Sequence, residues 1–118
     1  MTDALEIELR ISLDPETLLG PGKAALLQAI DETGSIAAAG RRMGMSYKRA
    51  WYLIDTMNAY FREPVVVSTR GGNSRGGAQL TPTGRKVLES YRRMEKKTRA
   101  AISSELTKLA ILAVKKGR

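Results

Sequence analysis

The chain has 118 residues, with 20 Lys+Arg against 12 Asp+Glu for a net charge of +8, and it contains neither Cys nor His. That length allows one domain, or one domain with an extension. The missing Cys excludes a disulfide framework and a thiolate site, the missing His removes the commonest general base and metal ligand, and the positive excess points towards polyanions.

The chain starts acidic (Met1-Thr2-Asp3-Ala4-Leu5-Glu6), without the basic start and apolar stretch of a signal peptide. Its longest apolar run, Leu109 to Val114, is far too short to span a membrane. A cytoplasmic location, with no membrane partner, is the expectation. Leu5, Ile7, Leu9, Ile11 and Leu13 alternate with polar residues, which predicts a half-buried strand over residues 5–13. That strand either joins a later hairpin as the third strand of a small sheet or adds to a partner subunit. Asp14-Pro15 and Leu19-Gly20-Pro21-Gly22 then punctuate a loop.

A first helix runs from Lys23 to Glu32, with Leu26, Leu27 and Ile30 on one face and Gly34 placed as its left-handed end. Ser35 caps a short Ala-rich helix, Ile36 to Met43, which Gly44 ends. Ser46 caps a third helix from Tyr47 to about Phe61, stopped by Pro64. Val65-Val66-Val67 and Ala78-Gln79-Leu80 make a hairpin around a Gly-rich loop, Arg70 to Gly77. Thr81-Pro82 opens a long helical segment towards Lys116, with Val87, Tyr91, Met94, Ile102, Leu106, Leu109 and Leu112 as its apolar positions. The stripe drifts between Thr98 and Ser104, giving either one bent helix or two helices meeting near Ser103-Ser104. The fold class is mainly α with a small antiparallel sheet.

Function is carried by the second and third helices, a helix-turn-helix candidate around Gly44-Met45-Ser46. Ala39-Gly40 supplies the small residues needed at the crossing, and Gly44 tolerates positive φ. Ala50, Leu53 and Ile54 point inwards, while Ser46, Tyr47, Lys48, Arg49 and Tyr52 are outward donors near the start of the third helix. DNA recognition in the major groove asks for donors there, since Arg and Lys pair with guanine or phosphate and hydroxyls with phosphate. Ser35, at the start of the preceding helix, joins this set. The hairpin then reads as a wing, with Arg70, Asn73, Ser74 and Arg75 in a Gly-rich tip able to approach phosphates closely. The bland alternatives are a solvated helix face and a loop that is basic by chance.

The run Gly34-Ser-Ile-Ala-Ala-Ala-Gly-Arg-Arg-Met-Gly-Met-Ser-Tyr-Lys-Arg-Ala-Trp-Tyr-Leu-Ile-Asp-Thr-Met-Asn58 resembles the DNA-binding domain of the ModE-type molybdate-responsive transcription regulators. So does the run Arg70-Gly-Gly-Asn-Ser-Arg-Gly-Gly-Ala-Gln-Leu-Thr-Pro-Thr-Gly84. The same plan is shared more distantly with LysR-type regulators. The resemblance implies a homodimeric winged helix-turn-helix protein, with Ser46, Tyr47, Lys48 and Arg49 facing DNA and Trp51 at or near the core. It also implies subunit contacts through the elements flanking the helix-turn-helix. The family's C-terminal Mop/TOBE-type molybdate-binding modules have no counterpart among these 118 residues, so molybdate binding is not expected in this chain.

The remaining signals are weaker. No nucleotide-binding glycine motif is present, and the carboxylates of the N-terminal third read as a solvated strand face and helix end. The basic C-terminal residues Lys96, Lys97, Arg99, Lys108, Lys115, Lys116 and Arg118 suit either DNA phosphate or a solvated helix face. The expectation is therefore a non-enzymatic, cofactor-free transcription regulator binding double-stranded DNA. Residues 1–84 form the winged helix-turn-helix domain and residues 85–118 a helical dimerisation element. A protein-interaction module, or a regulator sensing a small oxyanion at a dimer interface, is the alternative.

Overall fold

In the computed structural model, which describes residues 5–69 and 77–114, the chain order is β1 (Ile11–Asp14), β2 (Thr17–Leu19), α1 (Pro21–Thr33), α2 (Ile36–Met43), α3 (Tyr47–Tyr60), β3 (Val66–Thr69), β4 (Gly77–Leu80) and α4 (Pro82–Leu112). The strands form two separate antiparallel hairpins, β1–β2 and β3–β4.

Each helix starts and stops for a local reason. Gly34 ends α1 in the left-handed region at φ 71°, donating its N–H to the Ile30 carbonyl. Ser35 and Ser46 cap α2 and α3, their hydroxyls accepting from Ala38 and Arg49 N–H respectively. Thr81 caps α4 by accepting from Gly84 N–H and donates its own hydroxyl proton to the Pro64 carbonyl. Helix α3 breaks off at Phe61, and Asn58 Oδ1 then accepts the Val65 N–H at 2.7 Å, turning the chain into β3.

The core is centred on α1. Leu26, Leu27 and Ile30 are completely buried, against Ile36 and Ala39 of α2, Ile54 and Met57 of α3, Val65, Leu80, and Leu88 and Tyr91 of α4. Full burial of such side chains contributes about 1.5–3 kcal/mol each. The Tyr91 hydroxyl donates to the Leu9 carbonyl at 2.6 Å, and burial pushes its pKa above the ordinary tyrosine value.

One expectation needs correction. The strand over residues 5–13 is shorter: only Ile11–Asp14 is paired, and its partner is β2, a segment read from sequence as loop. It is not the third strand of the wing sheet. The Asp14 carboxylate accepts the Glu16 N–H at 2.9 Å, which turns the chain back within two residues, and the register shifts between Ser12 and Asp14. The alternation nevertheless describes the segment, because Leu5, Ile7 and Leu9 are half-buried while Glu6, Glu8 and Arg10 are exposed. Of the two readings open for the C-terminal segment, the single helix is the one observed, 31 residues long from Pro82 to Leu112.

Gly84 sits where α4 crosses Val65, and a Cβ there would run into the Val65 carbonyl; Gly22, in the first turn of α1, has open space around it. Gly84→Ala is expected to destabilise the fold by roughly 1–3 kcal/mol in urea unfolding. Gly22→Ala is expected to stabilise it by about 0.4–1 kcal/mol, and equal effects at both positions would contradict this packing.

Candidate nucleic-acid interface

The crossing of α2 and α3 depends on Gly40. A Cβ at this position would lie 3.2 Å from the Met45 carbonyl oxygen and 3.7 Å from the Ala50 Cβ, so the helices meet as closely as their backbones allow. The three-residue turn is closed by Gly44 at φ 71° and by the Met45 N–H donating to the Gly40 carbonyl at 2.9 Å. This close junction fixes which side of α3 faces out.

The inner side carries Ala50, Ile54 and Met57, all at 0 % exposure, with Trp51 and Leu53 half-buried against the core. The outer side begins at Ser46 and presents Tyr47 (57 % exposed), Lys48, Arg49 and Tyr52 (58 %). The Arg49 guanidinium lies 5.8 Å over the Tyr52 ring, and Tyr47 meets Trp51 edge-on at 6.5 Å between centroids. Both contacts restrict long side chains before any partner arrives. The first turn of α3 holds no acidic residue, so the positive end of the helix dipole is uncompensated there.

Ser46, Tyr47, Lys48, Arg49 and Tyr52, singled out from sequence, are all exposed in and just before the first turns of α3. Ser35 lies apart, half-buried at the start of α2, where its hydroxyl accepts from Ala38 N–H at 3.0 Å. A hydroxyl that accepts in this way keeps a proton to donate. The wing strands β3 and β4 pair from Val66–Leu80 to Thr69–Gly77. Arg70, Asn73, Ser74 and Arg75, expected at the wing tip, lie outside the described residues.

Three features escaped the sequence. Lys23, in the first turn of α1, has its pKa lowered by burial and then by the nearby positive charge of Arg49, with Asp14 opposing. It adds a cation behind the outer face of α3, 26 positions from Arg49 in the chain, a proximity only the folded state creates. Arg42, at the end of α2, is held by Glu32 at 2.5 Å. Hydrogen bonds from Gln28 and from Arg42 keep the Glu32 carboxyl below its ordinary pKa. Finally, the acidic turn Asp14–Glu16 lines an open cleft of about 500 Å³ with Tyr52 and Tyr60. The basic face therefore ends at Tyr52, and the neighbouring rim repels phosphate.

The model of the bacterial regulatory helix-turn-helix proteins of the lysR family matches residues 23–85, from the first turn of α1 to the first turn of α4. The molybdenum-pterin-binding protein MopB of Rhodobacter capsulatus is 44 % identical over 86 residues, covering 73 % of this chain and 32 % of the relative. The molybdenum transport protein ModE of Azotobacter vinelandii is 43 % identical over 95 residues, covering 79 % and 35 %. The DNA-binding transcriptional dual regulator ModE of Escherichia coli is 35 % identical over 86 residues, covering 73 % and 33 %. The chain spans about a third of the length of these curated relatives. It belongs to the lysR family of bacterial regulatory helix-turn-helix proteins.

Two outcomes are expected from this geometry. Ser46→Ala removes the α3 cap and lowers stability by about 1 kcal/mol, whereas Ser46→Asp retains it, as thermal unfolding would read. Burial and Arg49 disfavour charged Lys23 in the fold, so the wild type gains stability as pH rises through its lowered folded pKa towards the unfolded value. Lys23→Met is accordingly more stable than wild type at pH 7, with a gap that closes at high pH. A gap that widens with pH would contradict the assigned cause.

Proposed function

We propose that the chain is a sequence-specific transcription regulator that binds duplex DNA as a homodimer in the cytoplasm. Helix α3 enters the major groove, with Tyr47, Lys48, Arg49 and Tyr52 reaching base edges and Ser35 and Ser46 donating to flanking phosphates. The wing residues Arg70, Asn73, Ser74 and Arg75 track the adjacent backbone or minor groove. Residues 1–84 read DNA, and residues 85–118 hold the subunits together.

The observation that carries this reading is the division of α3 into an inner apolar side, with Ala50, Ile54 and Met57 fully buried, and an exposed first turn and a half of cations and aromatic hydroxyls that precedes Asp55 and starts at a capped, uncompensated helix N-terminus. A solvated helix face would be expected to carry carboxylates as well; this first turn has none. Membership of a regulatory helix-turn-helix family supports the same use of the face. The E. coli relative's description as a DNA-binding transcriptional regulator supports it independently. No molybdate site is proposed, because the relatives are matched through the helix-turn-helix region and no oxyanion site figures in the reading.

Binding that neutralises six or more phosphates gives a log–log salt slope of about −5 or steeper on its operator. Lys48→Ala or Arg49→Ala is expected to cost roughly 1–3 kcal/mol of operator affinity with the fold intact. Ser46→Asp is expected to keep the cap and lose affinity by repelling phosphate. Fluorescence anisotropy with a labelled operator selected from random duplexes measures all three. Absence of duplex binding at low salt would leave the fold as a protein-interaction module instead.

A further inference from the structure

Among the described residues, Arg10, Arg42, Arg85 and Arg92 are each held by a carboxylate. Arg85 spends its fork in this way, its terminal nitrogens donating to the two oxygens of Asp31 at 3.1 and 3.3 Å. Arg49 is held differently, with its guanidinium 5.8 Å over the Tyr52 ring. A tyrosine side chain on a helix leans towards the N-terminus, onto the residue three places earlier, which here is Arg49. The ring attracts the positive charge through its face and consumes none of the five N–H donors. The fork is therefore placed but unspent.

On DNA a planar fork fits two acceptors side by side, either phosphate oxygens or the N7 and O6 of guanine in the major groove. The surroundings of Arg49 favour guanine. Its guanidinium is drawn along α3 to Tyr52, away from the helix start, where backbone N–H groups suit a phosphate. Tyr52 also lines the cleft with Asp14 and Glu16, whose carboxylates repel a phosphate approaching from that side. The positive charge of Lys23, felt by Arg49, opposes folding of the fork back against α1. We propose that Arg49 reads a guanine in each half-site through N7 and O6, and that Tyr52 is the positioning residue that holds its fork. This rests on the DNA-binding reading above and names the base selected; Tyr52 reaches the base edge through Arg49. An arginine has many rotamers to lose on binding, and a ring that holds it beforehand reduces that loss.

The test uses a labelled operator selected from random duplexes, its guanines replaced one at a time by 7-deazaguanine, which keeps base pairing and lacks N7. Replacement of one guanine per half-site is expected to cost the wild type about tenfold in affinity. Arg49→Ala is expected to bind the two duplexes alike. Tyr52→Leu is expected to cut the discrimination to about twofold, whereas Tyr52→Phe, which keeps the ring, retains it. A variant that is merely destabilised weakens on both duplexes together, so the ratio separates positioning from folding. A replacement penalty that never depends on Arg49 overturns the guanine reading. Tyr52→Leu and Tyr52→Phe that discriminate alike overturn the positioning role. Either result leaves the DNA-binding reading standing on the wild type's own affinity and salt slope. A chain that binds no duplex at low salt overturns both.

Discussion

The corner at Gly34 governs the arrangement of the reading surface. Its left-handed backbone stops α1, with the N–H returned to Ile30. Its carbonyl accepts the Ala78 N–H of β4 at 3.0 Å. One residue thus closes a helix, positions Ser35 to open the next, and holds the root of the wing. The close fit extends to Gly77, where a Cβ would lie 3.2 Å from the Gly34 oxygen. An L-residue at Gly34 would meet a left-handed cost of roughly 1–2 kcal/mol. Its hydrogen bonds return only about 1 kcal/mol each, so the geometry depends on the glycine and not on the strength of the contacts.

From that corner the charge distribution acquires a structural meaning. Residues 1–34 carry a net charge of −5 and the remainder +13. Several of the acidic groups serve as ties between elements: Asp31 binds Arg85 of α4 at 3.1 Å, and Glu32 binds Arg42 of α2. Both pairs are partly exposed and individually weak. Their effect is to occupy cations around α1. The acidic turn at Asp14–Glu16 borders the same face at Tyr52 and gives it an edge.

The parts of the fold legible in the sequence are those fixed by one or two neighbouring residues. Ser35, Gly44, Ser46 and Thr81-Pro82 announce helix boundaries because capping is a local hydrogen-bonding problem, and Ala39-Gly40 announces a close crossing because only small residues permit one. Strand β2 was illegible: Thr17–Leu19 offers three residues between Pro15 and Gly20, too few to show alternation. The continuity of α4 was illegible for a different reason. Its stripe follows the core through Gly84, Leu88 and Tyr91 and drifts beyond them, while Ala, Lys, Arg, Glu and Leu keep the backbone helical. Likewise, Lys23 became part of the site only when α1 was folded against α3.

The depth at which α4 is anchored has a mechanical consequence for the proposed dimer. Gly84, Leu88 and Tyr91 are buried, and Tyr91 is tied to Leu9, so the first three turns of the helix are core rather than appendage. Helix α1 packs against both α3 and α4, making the two rigid partners across one shared set of side chains. In a homodimer held together through residues 85–118, that contact would then set the separation of the two α3 helices through this shared core. Half-sites on duplex DNA recur every 34–36 Å or a multiple of it. In the homodimer proposed above, the contact made by residues 85–118 would accordingly select operator spacing.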